Sequence, residues 1–175
     1  MTVIIEPLCN CDHLLEQVVD LLWSEFSDNY IACFGMSDKD DLLYSLRRIH
    51  LGVNKMPCLV ARKGDELIGV CNMEMDDLGS PWNRLLHQYW PWLANVVVVK
   101  EHRGKGYATQ LINAMLTTKL NVNKLYLWTN TPRLAEWYQS FGFRTVYTID
   151  KFMNLYDQIM IMETDLHTHQ AGLQV

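Results

Sequence analysis

Long apolar runs are missing from this sequence: none approaches the roughly 18 consecutive apolar residues that a membrane-spanning helix requires. The N-terminus, Met1 to Pro7, also lacks the basic start and extended apolar segment of a secretory leader. Cysteine is sparse, with Cys9, Cys11, Cys33, Cys58 and Cys71 at irregular spacings, and an odd count argues against a disulfide framework. Cys9-Asn10-Cys11 is too tight for the usual zinc knuckle and no second Cys/His pair follows, so no metal is expected. Positive charge is in deficit, 15 Lys and Arg against 20 Asp and Glu, for a net charge of −5. That balance excludes nonspecific binding to nucleic acid or anionic membrane, which needs a basic surface, and suits a cationic substrate better. A cytoplasmic protein is the expectation.

What is present is enough for one globular domain. Of 175 residues, 49% are apolar and 20% charged, a balance that buries a core without disulfides or metals. Val3–Pro7 reads as a first strand. Leu14, Leu15, Val18, Val19, Leu21 and Leu22 follow helical spacing from Asp12 to about Phe26, with Asp12 as the cap. A second helix is predicted from Asp38 to Leu51, acids first and Arg47, Arg48 and His50 last. Cys58–Arg62 and Glu66–Met75 flank the turn signal Lys63-Gly64-Asp65 as a hairpin.

Asp76–Pro91 reads mainly as loop, and Leu93–Val99 as a central strand, since four successive valines disfavour helix. Arg103-Gly104-Lys105-Gly106 then leads into a helix with the stripe Ala108, Leu111, Ile112, Met115 and Leu116. Lys124–Trp128 is a strand. Thr131 caps a helix opened by Pro132, with Leu134, Trp137, Tyr138 and Phe141 as its stripe and Gly142 just past its end. Phe143–Tyr147 and Gln158–Glu163 are closing strands. The expected fold is α/β, a mixed sheet with helices on both faces, in a single domain over 1–166. A patternless and mobile tail is expected over 167–175.

A loop between a strand end and a helix start presents several backbone N–H groups at the positive end of the helix dipole, a geometry suited to a diphosphate. The dinucleotide fingerprint fails here, because Gly104-Lys105-Gly106-Tyr107-Ala108 ends in Thr109 and no acid stands near Asn121–Lys124. The P-loop fails too, since Lys105 precedes Gly106 rather than Ser or Thr. A plain turn with a helix cap remains the alternative.

Arg103-Gly104-Lys105-Gly106-Tyr107-Ala108 matches the (Q/R)-x-x-G-x-(G/A) signature of the GNAT N-acetyltransferase superfamily at every required position. Downstream, Asn130 and the run Tyr138-Gln139-Ser140-Phe141-Gly142-Phe143 resemble that family's late block. The resemblance extends over Val3 to Glu163. It implies a central mixed, mostly antiparallel sheet and acetyl-CoA as the acetyl donor.

It also implies roles for individual residues. The amides of Arg103, Gly104, Lys105, Gly106, Tyr107 and Ala108 bind the CoA pyrophosphate, with a hydroxyl contact from Thr109. Main-chain groups of Val96, Val97 and Val98 pair with pantetheine, one N–H polarising the thioester carbonyl. Asn130 contacts the pantetheine arm or merely turns the chain. Tyr138 is the proton donor to departing thiolate, or else part of its helix's apolar stripe. Glu74 is the base, with Asp76, Asp77 and ordered water as alternatives, and Glu101 and His102 are surface residues. Trp82, Trp90, Trp92, Phe34 and Tyr30 wall the acceptor pocket or anchor the core. The acceptor is a primary amine, on a small molecule or a peptide N-terminus. The rival readings are an acyl-CoA sensor without turnover and a transferase of longer acyl chains. A homodimer is common in the family, but no surface in the sequence marks its interface.

Overall fold

The computed structural model describes residues 2–52, 56–79, 82, 86–119 and 122–166; the predicted tail lies outside them. The chain forms two compact units, Met1–Met73 with Ala94–Met115, and Glu74–Leu93 with Leu116–Val175.

In the first unit the strand order is β1 (Ile4–Pro7), β2 (Cys58–Lys63), β3 (Glu66–Glu74, from its start to Met73) and β4 (Trp92–Val98, from Ala94 onward). Both β1–β2 and β2–β3 are antiparallel. The β2–β3 turn works as the sequence predicts, because Gly64 takes φ 62° without a Cβ penalty. Helix α1 spans Leu15–Phe34, eight residues past the predicted end. The polar stretch Ser27-Asp28-Asn29 conceals that Tyr30 and Cys33 return to the buried face. Gly35, at φ 67°, ends the helix by giving its N–H to Ile31 O at 3.0 Å. Asp12 does not cap α1; it opens a 3₁₀ turn, Asp12–Leu14, and Leu14 stands at the cap position. Helix α2 (Lys39–His50) lies where expected, and Asp38, read as its first residue, is its cap, the carboxylate accepting from the N–H of Asp40 and Asp41 at 2.9 and 3.2 Å.

Leu8, Leu14, Val18 and Leu22 pack with Val60, Val70 and Val97 on one face of these strands, all buried. Each such side chain contributes about 1.5–3 kcal/mol relative to exposure. Helix α3 (Tyr107–Thr117) covers the other face: Leu111 is fully buried and its carbonyl accepts from the Cys71 thiol at 3.6 Å. Ala108, predicted in that helix's buried stripe, is half-buried.

Gly69 makes this approach possible, since a Cβ there would stand 2.7 Å from Val97 O and 3.3 Å from Leu111 Cδ1. The nearer atom is backbone and cannot rotate away. Gly69→Ala should therefore lower stability by about 1–3 kcal/mol in urea unfolding, the usual cost of overpacking. An unchanged midpoint would mean that β4 is free to shift.

β4 is irregular. Its burial runs through three buried residues, Trp92 to Ala94, then half-buried Asn95 and Val96, then buried Val97 and Val98. The burial does not alternate, and Asn95 in the middle of the strand takes φ 55°. A non-glycine residue in that region costs about 1–3 kcal/mol and persists only where its surroundings hold it.

In the second unit β5 (Lys124–Thr129), β7 (Tyr156–Asp165) and β6 (Arg144–Phe152) pair antiparallel in the order β5-β7-β6, and Trp92 of β4 is in parallel register with Tyr126. β6 and β7 run longer than predicted and form a hairpin, with Met153 and Asn154 at positive φ in its turn. Helix α4 (Pro132–Gln139) starts as read, Thr131 Oγ1 accepting from the N–H of Leu134 at 3.4 Å. Its buried face differs: Leu134 is 42% exposed and Ala135 is the buried residue. Ser140 is the C-cap, so Gly142, at φ 86°, stands two residues beyond it. Glu163 is buried and ion-paired with Lys124 and Arg144 at 2.9 and 2.6 Å. Burial alone would raise its pKa, but the two hydrogen bonds outweigh that and hold it below the ordinary carboxylate range. Among the described residues, no helix is long and apolar enough to cross a membrane.

Candidate active site

The predicted site residues divide by unit. Val96, Val97, Val98 and Arg103–Thr109 lie in the first; Glu74, Asn130 and Tyr138 lie in the second.

In the first unit β4 runs through a 3₁₀ turn, Lys100–His102, into Arg103–Gly106 and then α3. Arg103 ties the loop down with its side chain: Nε donates to Val98 O at 2.8 Å and Nη2 to Glu25 Oε1 at 2.5 Å. Lys105 Nζ donates to Glu101 O at 3.0 Å. The loop's side chains thus tie it to β4, to α1 and to the turn before it. Gly104 and Gly106 take φ 74° and 80°, and no atom stands within 4 Å of where a Cβ would be on either. Open space over two glycines at a helix N-terminus is the cradle a diphosphate needs. His102, predicted as a surface residue, is half-buried, and its Nε2 meets Glu66 Oε1 at 3.0 Å.

Gly106→Ala tests the cradle. Nothing crowds the added methyl, so the fold bears only the strain of positive φ, about 1–2 kcal/mol. Calorimetric titration should show CoA affinity reduced about 10-fold or more, since 1.4 kcal/mol of lost contact is a factor of ten. Unchanged affinity would remove this loop from the cofactor site.

In the second unit Tyr138 is half-buried near the end of α4, its ring 5.0 Å from that of Trp137 and 5.9 Å from that of Phe143. Asn130 is exposed, immediately before Thr131. Glu74 ends β3 and is half-buried, and Asp76 Oδ1 accepts from the N–H groups of Leu78 and Gly79 at 3.1 and 3.0 Å. Burial raises the Asp77 carboxyl well above the ordinary carboxylate range, and the Glu74 charge pushes it the same way. The Trp128 indole N–H, which donates to the Asp77 main-chain carbonyl at 3.1 Å, offsets part of this. Trp128 packs against Phe152 and Tyr156 at 5.6 and 5.7 Å, and Trp82 against Phe152 at 5.7 Å.

The family model described as an acetyltransferase (GNAT) domain matches residues 54–145, just over half of the chain, and takes in β2 through α4. The chain belongs to the GNAT acetyltransferase family. It is thus an acetyl-CoA-dependent acyltransferase, and the open glycine loop fits that cosubstrate. Solved structures share the fold at low identity. An aminoglycoside 6'-acetyltransferase type Ii superposes with TM-score 0.67 at 19% identity, over 93% of this chain and 97% of that one. A spermidine N-acetyltransferase from Vibrio cholerae, solved with CoA and spermine, gives 0.66 at 21%, over 95% and 97%. An N-acetyltransferase from Staphylococcus aureus Mu50 gives 0.68 at 17%, over 95% and 99%. No curated protein matches the chain in sequence.

Of the aromatic residues proposed for the acceptor pocket, Trp92 and Tyr30 are buried in the core, whereas Phe34 and Trp90 are 38% and 46% exposed. Asn95 escaped the sequence reading. An Asn before a run of valines looks like a strand residue, and its one clue is that Asn tolerates left-handed backbone better than most residues.

Proposed function

We propose that this GNAT enzyme transfers the acetyl group of acetyl-CoA to a primary amine by direct attack, in the cytoplasm. The observation that carries the reading is the glycine loop at the head of α3, with positive φ at Gly104 and Gly106 and open space above both. Acetyl-CoA supplies an acetyl group activated as a thioester. The loop amides from Arg103 to Ala108 hold its diphosphate, Thr109 adds a hydroxyl, and main-chain groups of Val96–Val98 align the pantetheine arm with help from Asn130.

An alkyl amine is mostly protonated near neutral pH and must lose a proton before it attacks. Glu74 is the proposed acceptor of that proton, with the high-pKa Asp77 carboxyl beside it in sequence and charge. Tyr138 gives a proton to the departing thiolate. The acidic residues Glu74 and Asp76 together with the faces of Trp128, Tyr156 and Trp82 favour a cationic acceptor, since both kinds of group attract positive charge. The aminoglycoside and spermidine enzymes of similar fold act on amines of that kind.

Thiol release from acetyl-CoA, followed with pooled polyamines, aminoglycosides, amino acids and short peptides, tests this. Release above the amine-free control with one pool is expected and names the acceptor class. If every pool matches the control while CoA still binds, two readings remain: an acceptor outside the panel, or an acyl-CoA sensor that never turns over. Faster release from propionyl- or succinyl-CoA than from acetyl-CoA would overturn the acetyl assignment.

A further inference from the structure

Asn95 sits in the middle of β4 with φ 55°, in backbone that few side chains tolerate. Its Oδ1 accepts a hydrogen bond from the Tyr30 hydroxyl at 2.7 Å, across 65 positions of sequence. Tyr30 is itself fixed: it is 6% exposed, stacked on Trp23 with ring centroids 6.3 Å apart, and met edge-on by Phe26 at 6.4 Å. The packing of its ring thus fixes where the Tyr30 hydroxyl meets the Asn95 amide oxygen. The residue it meets is the one at which β4 leaves extended backbone, and Val96–Val98 follow directly. A single left-handed residue within a strand re-aims the peptide groups that come after it.

We propose that Tyr30 and Asn95 form a positioning lock that sets the direction of the main-chain groups of Val96–Val98, and through them the grip of β4 on the CoA arm. This rests on the assignment of Val96–Val98 to cofactor binding. Neither residue touches the reacting atoms. The lock acts through backbone direction, so its effect falls on cofactor affinity more than on the chemical step.

The test is calorimetric titration with CoA, alongside acetyl-transfer kinetics. Tyr30→Phe keeps the ring packing and removes one oxygen. It is expected to weaken CoA binding about 3- to 10-fold, the range of one lost hydrogen bond, and to raise KM for acetyl-CoA with a smaller change in kcat. Asn95→Gly, which adopts positive φ without help, should bind CoA more tightly than Asn95→Ala, and adding Tyr30→Phe to Asn95→Gly should cost nothing more. CoA affinity within twofold of the unaltered chain in Tyr30→Phe, with only the melting temperature lowered, would reduce the pair to a packing contact and overturn the lock. So would a further loss when Tyr30→Phe is added to Asn95→Gly. If the unaltered chain binds no CoA, the cofactor assignment falls and takes the lock with it. If it binds CoA and Tyr30→Phe binds equally well, only the lock falls.

Discussion

Tyr138→Phe should lower kcat for acetyl transfer by about 10²–10⁴-fold, the range of a lost general acid, while CoA affinity stays within about twofold. The ring is held by Trp137 and by Phe143, which is 2% exposed, and phenylalanine keeps both contacts. Stability should therefore move little, and a fall in kcat without a fall in melting temperature assigns the loss to the hydroxyl. If single-turnover rates of Tyr138→Phe match those of the parent chain, another donor protonates the thiolate and Tyr138 is only a packing residue of α4.

Glu74→Gln should lower kcat/KM by a comparable factor, about 10²–10⁴-fold, as the loss of a general base does. A second effect separates it from a generic lesion. Burial raises the Asp77 pKa first and the Glu74 charge raises it further, so neutralising Glu74 should let Asp77 ionise at lower pH. The acid limb of the kcat/KM profile should move toward lower pH for whatever activity is left. Asp77→Asn gives the matching stability readout. Below the ordinary value of 3.8 the carboxyl is protonated in folded and unfolded chains alike, and its burial is tolerated. As pH rises through the raised folded value, the unfolded chain has already ionised, and the folded one must keep the proton or bury a charge; stability falls. Asp77→Asn should hence melt higher than the parent near pH 8, by about 2–4 °C per kcal/mol regained, with the gain shrinking toward pH 4. A gain that is constant with pH would mean that Asp77 is not the group responsible.

Local rules made much of this molecule legible in its sequence. Asp38 before α2, Thr131-Pro132 before α4, Gly64 in the hairpin and the loop at Gly104 and Gly106 each follow from one or two residues whose backbone or hydrogen-bonding needs are particular. Features that depend on distant partners were not legible. Helix α1 runs on past Phe26 because Tyr30 and Cys33 rejoin the core behind the polar Ser27-Asp28-Asn29, and Gly35 alone marks its end locally. Leu134 looks buried by its spacing, yet α4 turns Ala135 inward instead, and eight residues leave little periodicity to decide between them. At the site the loop was readable because glycine has a conformational meaning. The Asp77 environment was not, because it depends on burial and on Trp128, 51 positions away.

The five cysteines form no disulfide, and four of them, Cys11, Cys33, Cys58 and Cys71, are buried; Cys9 is partly exposed. Burial keeps the Cys71 thiol protonated far beyond its ordinary range, and burial followed by the Glu6 charge raises Cys11 as well. Only a thiolate attacks an electrophile at a useful rate, so these sulfurs are chemically quiet. A colorimetric disulfide reagent added to the native enzyme should consume about one equivalent, at Cys9, and then stop until the chain unfolds. Any signal that continues to climb under such a reagent is coenzyme being released.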